Sequence, residues 1–273
     1  MKLPFYKYHG AGNDFILIDN RKNDVYLQES GIARLCNRHF GIGADGLMFL
    51  ENISDADFYM RYFNADGCES TMCGNGGRCI VAFAAQLGII RDKYRFKAID
   101  GEHFARLLSK SKQETMVCLQ MNNVKEIQQH GTDYFMDTGS PHVVRFVSDA
   151  NAIDVFAEGC AIRCSEAYAP HGVNVNFVQL IGECLYVRTY ERGVENETLA
   201  CGTGAVASAV AASLLDSSKN NSALSWDIKT RGGTLNVTFS RSDNYFSDIY
   251  LTGSAILVFE GAIEISDKMM MCQ

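Results

Sequence analysis

The sequence predicts an α+β fold built from two related halves. A short cysteine-glycine motif occurs twice, and each copy is followed by a run of small residues typical of a helix. Many short strand-like runs surround each copy without regular strand-helix alternation, which favours an α+β class over an α/β class. No low-complexity linker separates the halves.

The repeated motif reads Cys73-Gly74-Asn75-Gly76-Gly77 in one half and Cys201-Gly202-Thr203-Gly204-Ala205 in the other. Aligning the copies also pairs Ala84 with Ala212 and Leu87 with Leu215. The segments Cys73 to Gly88 and Cys201 to Asp216 are therefore interpreted as one duplicated helical element. The duplication predicts a pseudo-twofold arrangement with one thiol from each half.

The first half is predicted from alternation and apolar runs. A helix capped by Ser30 presents Ile32, Leu35 and Cys36 on one face, and Asp66-Gly67 forms a turn. Predicted strands cover residues 15–18, 47–50, 58–63, 93–99, 104–108 and 116–121.

The second half begins near Asn122-Asn123. Its predicted strands cover residues 134–136, 143–147, 173–180, 184–190, 234–239 and 255–259. We expect a first domain over residues 1–121, joined by a C-terminal strand at about 262–273, and a second domain over residues 122–261.

The composition is that of a globular enzyme with a small-molecule substrate. Hydrophobic residues make up 47% and charged residues 21% of the chain, which permits a sizeable core. A net charge of -7 argues against nucleic-acid binding. The N-terminus lacks an apolar signal segment and no spanning run occurs, so we expect a cytoplasmic protein without membrane contact, whose ten cysteines stay reduced.

One glycine-rich stretch imitates a cofactor motif. Gly41-Ile42-Gly43-Ala44-Asp45-Gly46 matches the dinucleotide fingerprint, but a helix-like segment precedes it and a strand-like run follows. A turn with positive φ angles explains these glycines, so no nucleotide cofactor is expected. The cysteine spacings include no C-x-x-C pair, so no zinc site is expected either.

The two motif cysteines are the candidate catalytic residues. A thiol at a helix start lies near unpaired N–H groups and the positive end of the helix dipole, which lowers its pKa. The same N–H groups attract anions, so Gly74 and Asn75, with Gly202 and Thr203, could hold a substrate carboxylate. Two thiols around one α-carbon suit the removal and return of a proton on opposite faces.

These motifs make the chain resemble the diaminopimelate epimerases over nearly its whole length. The matching segments are His9-Gly10-Ala11-Gly12-Asn13-Asp14-Phe15, Asn37-Arg38-His39, Phe63-Asn64-Ala65-Asp66-Gly67, Met72-Cys73-Gly74-Asn75-Gly76-Gly77-Arg78, Gly172-Val173-Asn174-Val175, Tyr190-Glu191-Arg192-Gly193 and Ala200-Cys201-Gly202-Thr203-Gly204-Ala205.

The resemblance implies interconversion of LL- and meso-diaminopimelate on the route to lysine and peptidoglycan, without pyridoxal phosphate or another cofactor. It implies that Cys73 and Cys201 exchange the roles of thiolate base and thiol acid. It also implies that each half is a curved, barrel-like sheet around its central helix, with the active site in a cleft between the halves, and that the protein forms a homodimer.

Further site residues follow from the substrate's second amino-acid centre and from the resemblance. Arg192 could clamp the distal carboxylate and Glu191 accept from the distal ammonium. Asn13, Asn64 and Asn174 would add amide contacts. His142 matches a family histidine that, with Glu191, tunes thiol ionisation. Strand alternation places Asn174 and Asn176 on the face opposite Val173, Val175 and Phe177.

Departures from the family pattern leave alternatives open. Many members have asparagine where this chain has Ser140 and a glutamine-like contact residue where it has Gly46, and the stretch from Arg192 to Cys201 is one residue longer. The alternatives are a proline or hydroxyproline racemase, a phenazine-pathway isomerase relative, and a non-catalytic binding module. Asn75, where proline racemases carry histidine, and the presence of both thiols favour the epimerase.

Overall fold

A computed structural model describes residues 1–215, 222–265 and 269. The chain divides into two compact units. The first unit comprises Met1–Leu119 together with the chain from Ser254 onward, and the second unit comprises Gln120–Gly253. Among the described residues, no helix is both long and apolar enough to cross a membrane.

The first unit is a closed sheet around a central helix. Its strands are β1 (Lys2–Gly10), β2 (Asn13–Asp19), β3 (Gly46–Glu51), β4 (Phe58–Asn64), β5 (Glu69–Ser70), β6 (Tyr94–Ala98), β7 (Gly101–Lys110), β8 (Glu114–Gln120) and the end of β17 (Tyr245–Glu264). They pair in the order β17, β1, β2, β3, β4, β6, β7 and β8, and β8 pairs again with β17. The sheet therefore closes into a barrel, with short β5 added to β4.

Two helices of the first unit lie on opposite faces of this sheet. Helix α1 (Glu29–Cys36) packs Ile32, Leu35 and Cys36 into an apolar cluster with residues of β1, β2 and β3. Helix α2 (Gly74–Gln86) is buried at every residue except the last. Its glycines and alanines are small enough to fit inside a closed sheet. The predicted cap at Ser30 is wrong, because α1 begins at Glu29 and its N-cap residue is Gln28.

The second unit repeats this construction. Its strands are β9 (Ile127–His130), β10 (Asp133–Asp137), β11 (Pro141–Phe146), β12 (Asn174–Ile181), β13 (Cys184–Glu191), β14 (Asn196–Thr198), β15 (Ser222–Thr230), β16 (Gly233–Ser242) and the start of β17. They pair in the order β9, β10, β11, β12, β13, β15, β16 and β17, and a bridge from Val124 to Phe246 closes the ring.

The helices of the second unit also match those of the first. Helix α3 (Val155–Arg163) connects the parallel strands β11 and β12, as α1 connects the parallel strands β2 and β3. Helix α4 (Gly202–Leu214) connects the parallel strands β13 and β15, as α2 connects β4 and β6. Short 3₁₀ turns at Ala150–Ala152 and Glu166–Tyr168 flank α3.

The predicted α+β fold of two barrel-like halves, each with a central helix, is thus confirmed. The duplicated element is confirmed as far as the structure describes it. Helices α2 and α4 have the same length of 13 residues, and their C-cap residues are Leu87 and Leu215. Asp216, the predicted end of the second copy, lies outside the described residues, as do residues 266–268 and 270–273 of the predicted C-terminal strand.

Candidate active site

Both motif cysteines occupy the N-cap of a central helix. Cys73 precedes α2 and Cys201 precedes α4, each in an extended backbone conformation. The first turn of each helix contains no acidic side chain. The first N–H groups of these helices have no partner within the helix, so each thiol lies beside a positive helix end. This placement stabilises the negative charge that either sulfur carries when it acts as a base.

In the first unit, the side chain of Asn13 contacts the Cys73 thiol. Its Oδ1 accepts from Sγ of Cys73 at 3.7 Å and from Nδ2 of Asn75 at 3.3 Å. Its Nδ2 donates to Oδ2 of Asp45 at 2.8 Å. Because a carboxylate only accepts hydrogen bonds, Asp45 fixes which way the Asn13 amide points. The carbonyl side of Asn13 consequently faces the thiol and Asn75.

An ion cluster holds Asp45 in place. Arg38 donates to Asp45 at 2.8 Å and, through both terminal nitrogens, to Asp14 at 2.7 and 3.0 Å. Lys7 contributes a second cation, 2.7 Å from Asp14, and donates to the Gly43 carbonyl. Burial alone would raise the pKa of Asp14, but the hydrogen bonds from Arg38 and Lys7 bring that pKa well below its usual value.

Arg78 is a fully buried cation on α2, close to the Cys73 motif. Its guanidinium donates to the Gly74 carbonyl at 3.1 Å and to Oδ1 of Asn75 at 2.8 Å. Both acceptors are neutral, and burial lowers the pKa of Arg78. Within the described ranges, its Nε has no hydrogen-bond partner. The sequence had shown Arg78 only as part of a matching segment, without a role.

In the second unit, a cluster of hydroxyl and imidazole groups surrounds the Cys201 thiol, which is 8% exposed. Sγ of Cys201 lies 3.4 Å from Oγ1 of Thr203. This hydroxyl in turn lies 2.9 Å from Nε2 of His142 and 3.4 Å from Oγ of Ser140. Ser140 and His142 are themselves 3.0 Å apart. Ser140 therefore takes part in the cluster, although it departs from the family pattern.

His142 is completely buried at the second position of β11. Burial, reinforced by the charge of Arg192, lowers the pKa of His142 to about 3. The imidazole is therefore neutral at physiological pH. Any influence that it has on the Cys201 thiol must pass through hydrogen bonds rather than through a positive charge on the ring.

The predicted alternation on β12 is confirmed. Val175 and Phe177 pack into the cluster against α3, whereas Asn174 and Asn176 lie on the opposite face. That face is buried, since Asn174 is 4% and Asn176 0% exposed. Both amides contact His142, so this face belongs to the site rather than to a solvated surface.

Glu191 is the last residue of β13 and Arg192 follows it, and both residues are partly exposed. The backbone N–H of Arg192 donates to Oδ1 of Asn174 at 2.8 Å. Its guanidinium donates to the His171 carbonyl at 3.3 Å, and no carboxylate of the described residues lies within ion-pair distance of it. The guanidinium thus keeps most of its donors for an external anion.

Asn64 and Gly46 lie side by side, paired across β4 and β3. Asn64 is exposed, and its backbone shapes the turn that leads to Gly67. A Cβ at Gly46 would approach the Phe63 carbonyl oxygen and the Tyr62 ring to 2.6 Å. No larger residue fits there without movement of β4, so the contact residue found in many relatives has no space in this chain.

Several residues that contact the predicted site residues were not predicted from the sequence. Asp45 orients Asn13, and Thr138 donates from Oγ1 to the Thr203 carbonyl at 2.9 Å. Asn176 contacts His142 directly. The alternation on β12 could have indicated Asn176, but no local signal links Asp45 or Thr138 to their partners, which are distant along the chain. His9 accepts from the Gly12 N–H at 3.3 Å and supports the Asn13 loop.

The equivalent glycines of the two motifs yield a testable prediction. A Cβ at Gly204 would overlap Oδ1 of Asn176, whereas a Cβ at Gly76 would meet the mobile end of Met48 at 2.9 Å. We expect Gly204→Ala to lower the free energy of unfolding by about 1–3 kcal/mol and to reduce activity strongly, because it displaces Asn176. Gly76→Ala is the matched control, and we expect it to be nearly neutral, since alanine favours the helix.

Urea unfolding and turnover of both variants check this prediction. A Gly204→Ala protein that is as stable and active as the Gly76→Ala protein would show that Asn176 is not held against α4. A loss in both variants would mean that the motif tolerates no side chain at this position in either unit.

Comparisons with known proteins show the same family over both units. The model of the diaminopimelate epimerase family matches residues 5–125 and 134–258. The diaminopimelate epimerase of Flavobacterium psychrophilum is 48% identical over 263 residues, which cover 96% of this chain and 100% of that protein. The diaminopimelate epimerase of Chlorobaculum tepidum is 43% identical, covering 94% of this chain and 99% of that protein.

Solved structures share the fold at low sequence identity. A phenazine biosynthesis protein of the PhzF family from Bacillus anthracis superposes with a TM-score of 0.78 at 13% identity, covering 97% of this chain and 100% of that chain. A hydroxyproline epimerase from Agrobacterium vitis, with bound trans-4-hydroxy-L-proline, has a TM-score of 0.66 at 13% identity, covering 96% and 92%. These similarities establish the fold alone.

Proposed function

The chain belongs to the diaminopimelate epimerase family, and from this premise we propose how its residues interconvert LL- and meso-2,6-diaminopimelate. The reaction inverts one α-carbon of a substrate that serves lysine and peptidoglycan precursor synthesis. Cys73 and Cys201 form the acid–base pair in this proposal. The observation that supports it best is that each thiol occupies the N-cap of an equivalent central helix.

The chemistry needs one base and one acid and no cofactor. A thiolate removes the α-proton from one face, and the opposing thiol returns a proton to the other face, so that charge and atoms balance within one turnover. The protonation states of the two sulfurs are exchanged at the end. The reverse reaction uses the same groups in opposite roles.

The substrate carboxylate next to the reacting carbon binds the helix starts in this proposal. The N–H groups of Gly74 and Asn75, and those of Gly202 and Thr203, supply the donors. Negative charge that develops during proton removal is stabilised by the same donors, because they are fixed in position before the reaction begins.

The distal amino-acid centre binds to Arg192 and Glu191. The guanidinium donates to the distal carboxylate, which matches its lack of a carboxylate partner among the described residues. Asn13, Asn64 and Asn174 supply amide contacts. In this proposal Asn13 contacts the substrate through its carbonyl side and Asn174 through its amide nitrogen, because Asp45 accepts from Nδ2 of Asn13 and the Arg192 N–H donates to Oδ1 of Asn174.

His142 and Glu191 tune the ionisation of the thiols in this proposal. For His142 this tuning acts through Thr203 and in the neutral form of the ring, because the lowered pKa keeps the imidazole uncharged.

We also propose a cytoplasmic homodimer that binds neither nucleic acid nor membrane. Sedimentation analysis of the purified protein tests the dimer.

A racemase acting on proline or hydroxyproline is the alternative. Asn75 stands where those enzymes typically carry histidine. The guanidinium of Arg192 has no carboxylate partner in the part of the chain that the structure describes, so it suits a second carboxylate that proline lacks. Both features favour diaminopimelate.

Proton exchange in deuterium oxide, followed by NMR, tests the proposal directly. Reduced protein is offered LL-diaminopimelate and L-proline separately, with Cys73→Ala and Cys201→Ala as controls. We expect α-deuteration and meso product from diaminopimelate alone, both lost in each variant. Exchange with proline alone would contradict this proposal and identify the protein as a proline racemase.

A further inference from the structure

The side-chain amide of Asn176 has only one orientation compatible with its neighbours. Its Nδ2 donates to the Val143 carbonyl at 2.9 Å, and its Oδ1 accepts from the Thr189 hydroxyl at 2.9 Å. Rotating the amide by 180° would place its oxygen against the Val143 carbonyl oxygen. The second proton of Nδ2 therefore points to Nδ1 of His142, 3.1 Å away.

This contact determines the tautomer of His142. Because Nδ1 faces a donor, it must accept, and the neutral ring carries its single proton on Nε2. The Nε2 proton then faces two hydroxyl oxygens, Oγ1 of Thr203 at 2.9 Å and Oγ of Ser140 at 3.0 Å from Nε2, and either can accept it. Because burial holds the pKa of His142 low, the ring keeps this arrangement at neutral pH.

The neighbouring amide orients Ser140 in the same direction. Asn174 accepts through Oδ1 from the Arg192 N–H and therefore donates through Nδ2 to Oγ of Ser140 at 3.0 Å and to the Pro141 carbonyl at 3.2 Å. Both protons of Nδ2 are then used, so Nε2 of His142, 3.4 Å away, need not accept from it. With its oxygen accepting from Asn174, Ser140 has its own proton available for Oγ1 of Thr203 at 3.4 Å. Two donors thus converge on the Thr203 oxygen.

The proton of the Thr203 hydroxyl is consequently left for the sulfur of Cys201, 3.4 Å away. We propose that Asn176 is a positioning residue that, through the tautomer of His142, makes Thr203 a hydrogen-bond donor to Cys201 and so holds Cys201 as the thiolate of the resting protein. The proposal rests on the proposed function only in naming that thiolate as the first base.

Charged groups also lie near this cluster. The first turn of α4 carries no acidic residue. Glu191 is the last residue of β13 and Arg192 follows it, and the charge of Arg192 disfavours a positive His142. Asp137, at the end of β10, accepts from the Gly139 N–H at 2.8 Å. A hydroxyl that donates to sulfur stabilises the thiolate over the thiol, because a charged acceptor makes the stronger hydrogen bond.

The tautomer can be read directly by ¹⁵N NMR of protein labelled at histidine. Signals of His142 are those absent from a His142→Gln variant. We expect a protonated Nε2 and an unprotonated Nδ1 from pH 5 to pH 9, and we expect Asn176→Asp to place a proton on Nδ1. A wild-type ring that is protonated on Nδ1, or that titrates in this range, would overturn the proposal.

The consequence for the thiol can be measured by alkylation with iodoacetamide, resolved by peptide mass spectrometry as a function of pH and without substrate. We expect Thr203→Val to raise the pH midpoint of Cys201 alkylation by about one pH unit, a tenfold change in thiolate fraction. Thr203→Ser retains the hydroxyl and should keep the wild-type midpoint. The Cys73 midpoint in each variant serves as the internal control.

An unchanged Cys201 midpoint in Thr203→Val, or equal shifts of Cys201 and Cys73, would overturn the proposal. If Asn176→Asp does not fold, as judged by far-UV circular dichroism, the comparison of Thr203→Val with Thr203→Ser still tests whether the Thr203 hydroxyl stabilises the Cys201 thiolate. These measurements need no turnover. Failure of the proposed function would appear as absent deuterium exchange with a normal Cys201 midpoint, whereas failure of this inference would leave exchange intact and shift no midpoint.

Discussion

Replacing either Cys73 or Cys201 by alanine is expected to reduce kcat for epimerisation by at least about 1000-fold. Acid–base groups typically contribute 100- to 10,000-fold each, and each thiol acts in both directions of the reaction. The two losses should be similar, since either variant lacks one half of the proton transfer. Serine variants should keep at most weak activity, because a hydroxyl is a far poorer base near neutral pH.

Formation of meso-diaminopimelate, separated by chiral chromatography, measures this loss. Exposed thiols outside the site provide matched controls, one from each unit: Cys68→Ala and Cys164→Ala should retain wild-type turnover. Retention of a tenth of the wild-type rate by either motif variant would remove that cysteine from the acid–base pair.

Arg192→Ala is expected to lower kcat/KM for diaminopimelate by about 100-fold or more, mainly through KM. The guanidinium has no carboxylate partner among the described residues, so a bound distal carboxylate would receive charge-assisted hydrogen bonds that are worth several kcal/mol together. The Arg192 backbone N–H, which orients Asn174, is unaffected by this substitution. Arg192→Lys should recover part of the loss, because lysine keeps the charge but not the bidentate geometry.

Comparing diaminopimelate with lysine, which lacks the distal carboxylate, isolates this contact. Wild-type protein should discriminate strongly between the two in α-proton exchange, and Arg192→Ala should lose most of that discrimination. The control is Arg231→Ala, since Arg231 is a more exposed arginine of the same unit that is paired with Glu197 at 3.0 Å. Unchanged discrimination in Arg192→Ala would show that the distal carboxylate binds elsewhere.

Local sequence patterns predicted the elements that carry the thiols, because their determinants are local. The repeated motif and the small residues after it were enough to predict helices α2 and α4. The alternation around Asn174 was enough to predict which side chains lie on each face of β12. The predicted cap at Ser30 failed because tertiary contacts set the start of α1. Val25 and Leu27 are buried just before it, and the Gln28 N–H donates to the Met269 carbonyl.

The prediction also missed β1, α3 and β15. Pro4 interrupts the apolar alternation of β1. Strand β15 does alternate, with Leu224, Trp226 and Ile228 on one face, so this pattern could have predicted it. Helix α3 buries only Val155 and Gly159 fully, so its apolar face is weak. The orientation of Asn13 by Asp45 and of His142 by Asn176 could not be predicted from spacing, because the partners belong to separate strands and meet only in the folded sheet.

The path of β17 has a consequence for synthesis on the ribosome. Strand β1 pairs with residues Ile256–Glu264, so its backbone ladder can form only after this much later part of the chain has been made. The second unit is continuous, and all of its strands emerge earlier. We therefore expect the second unit to fold first on the nascent chain, and the unit that carries Cys73 to be completed only after residues 256–264 have emerged.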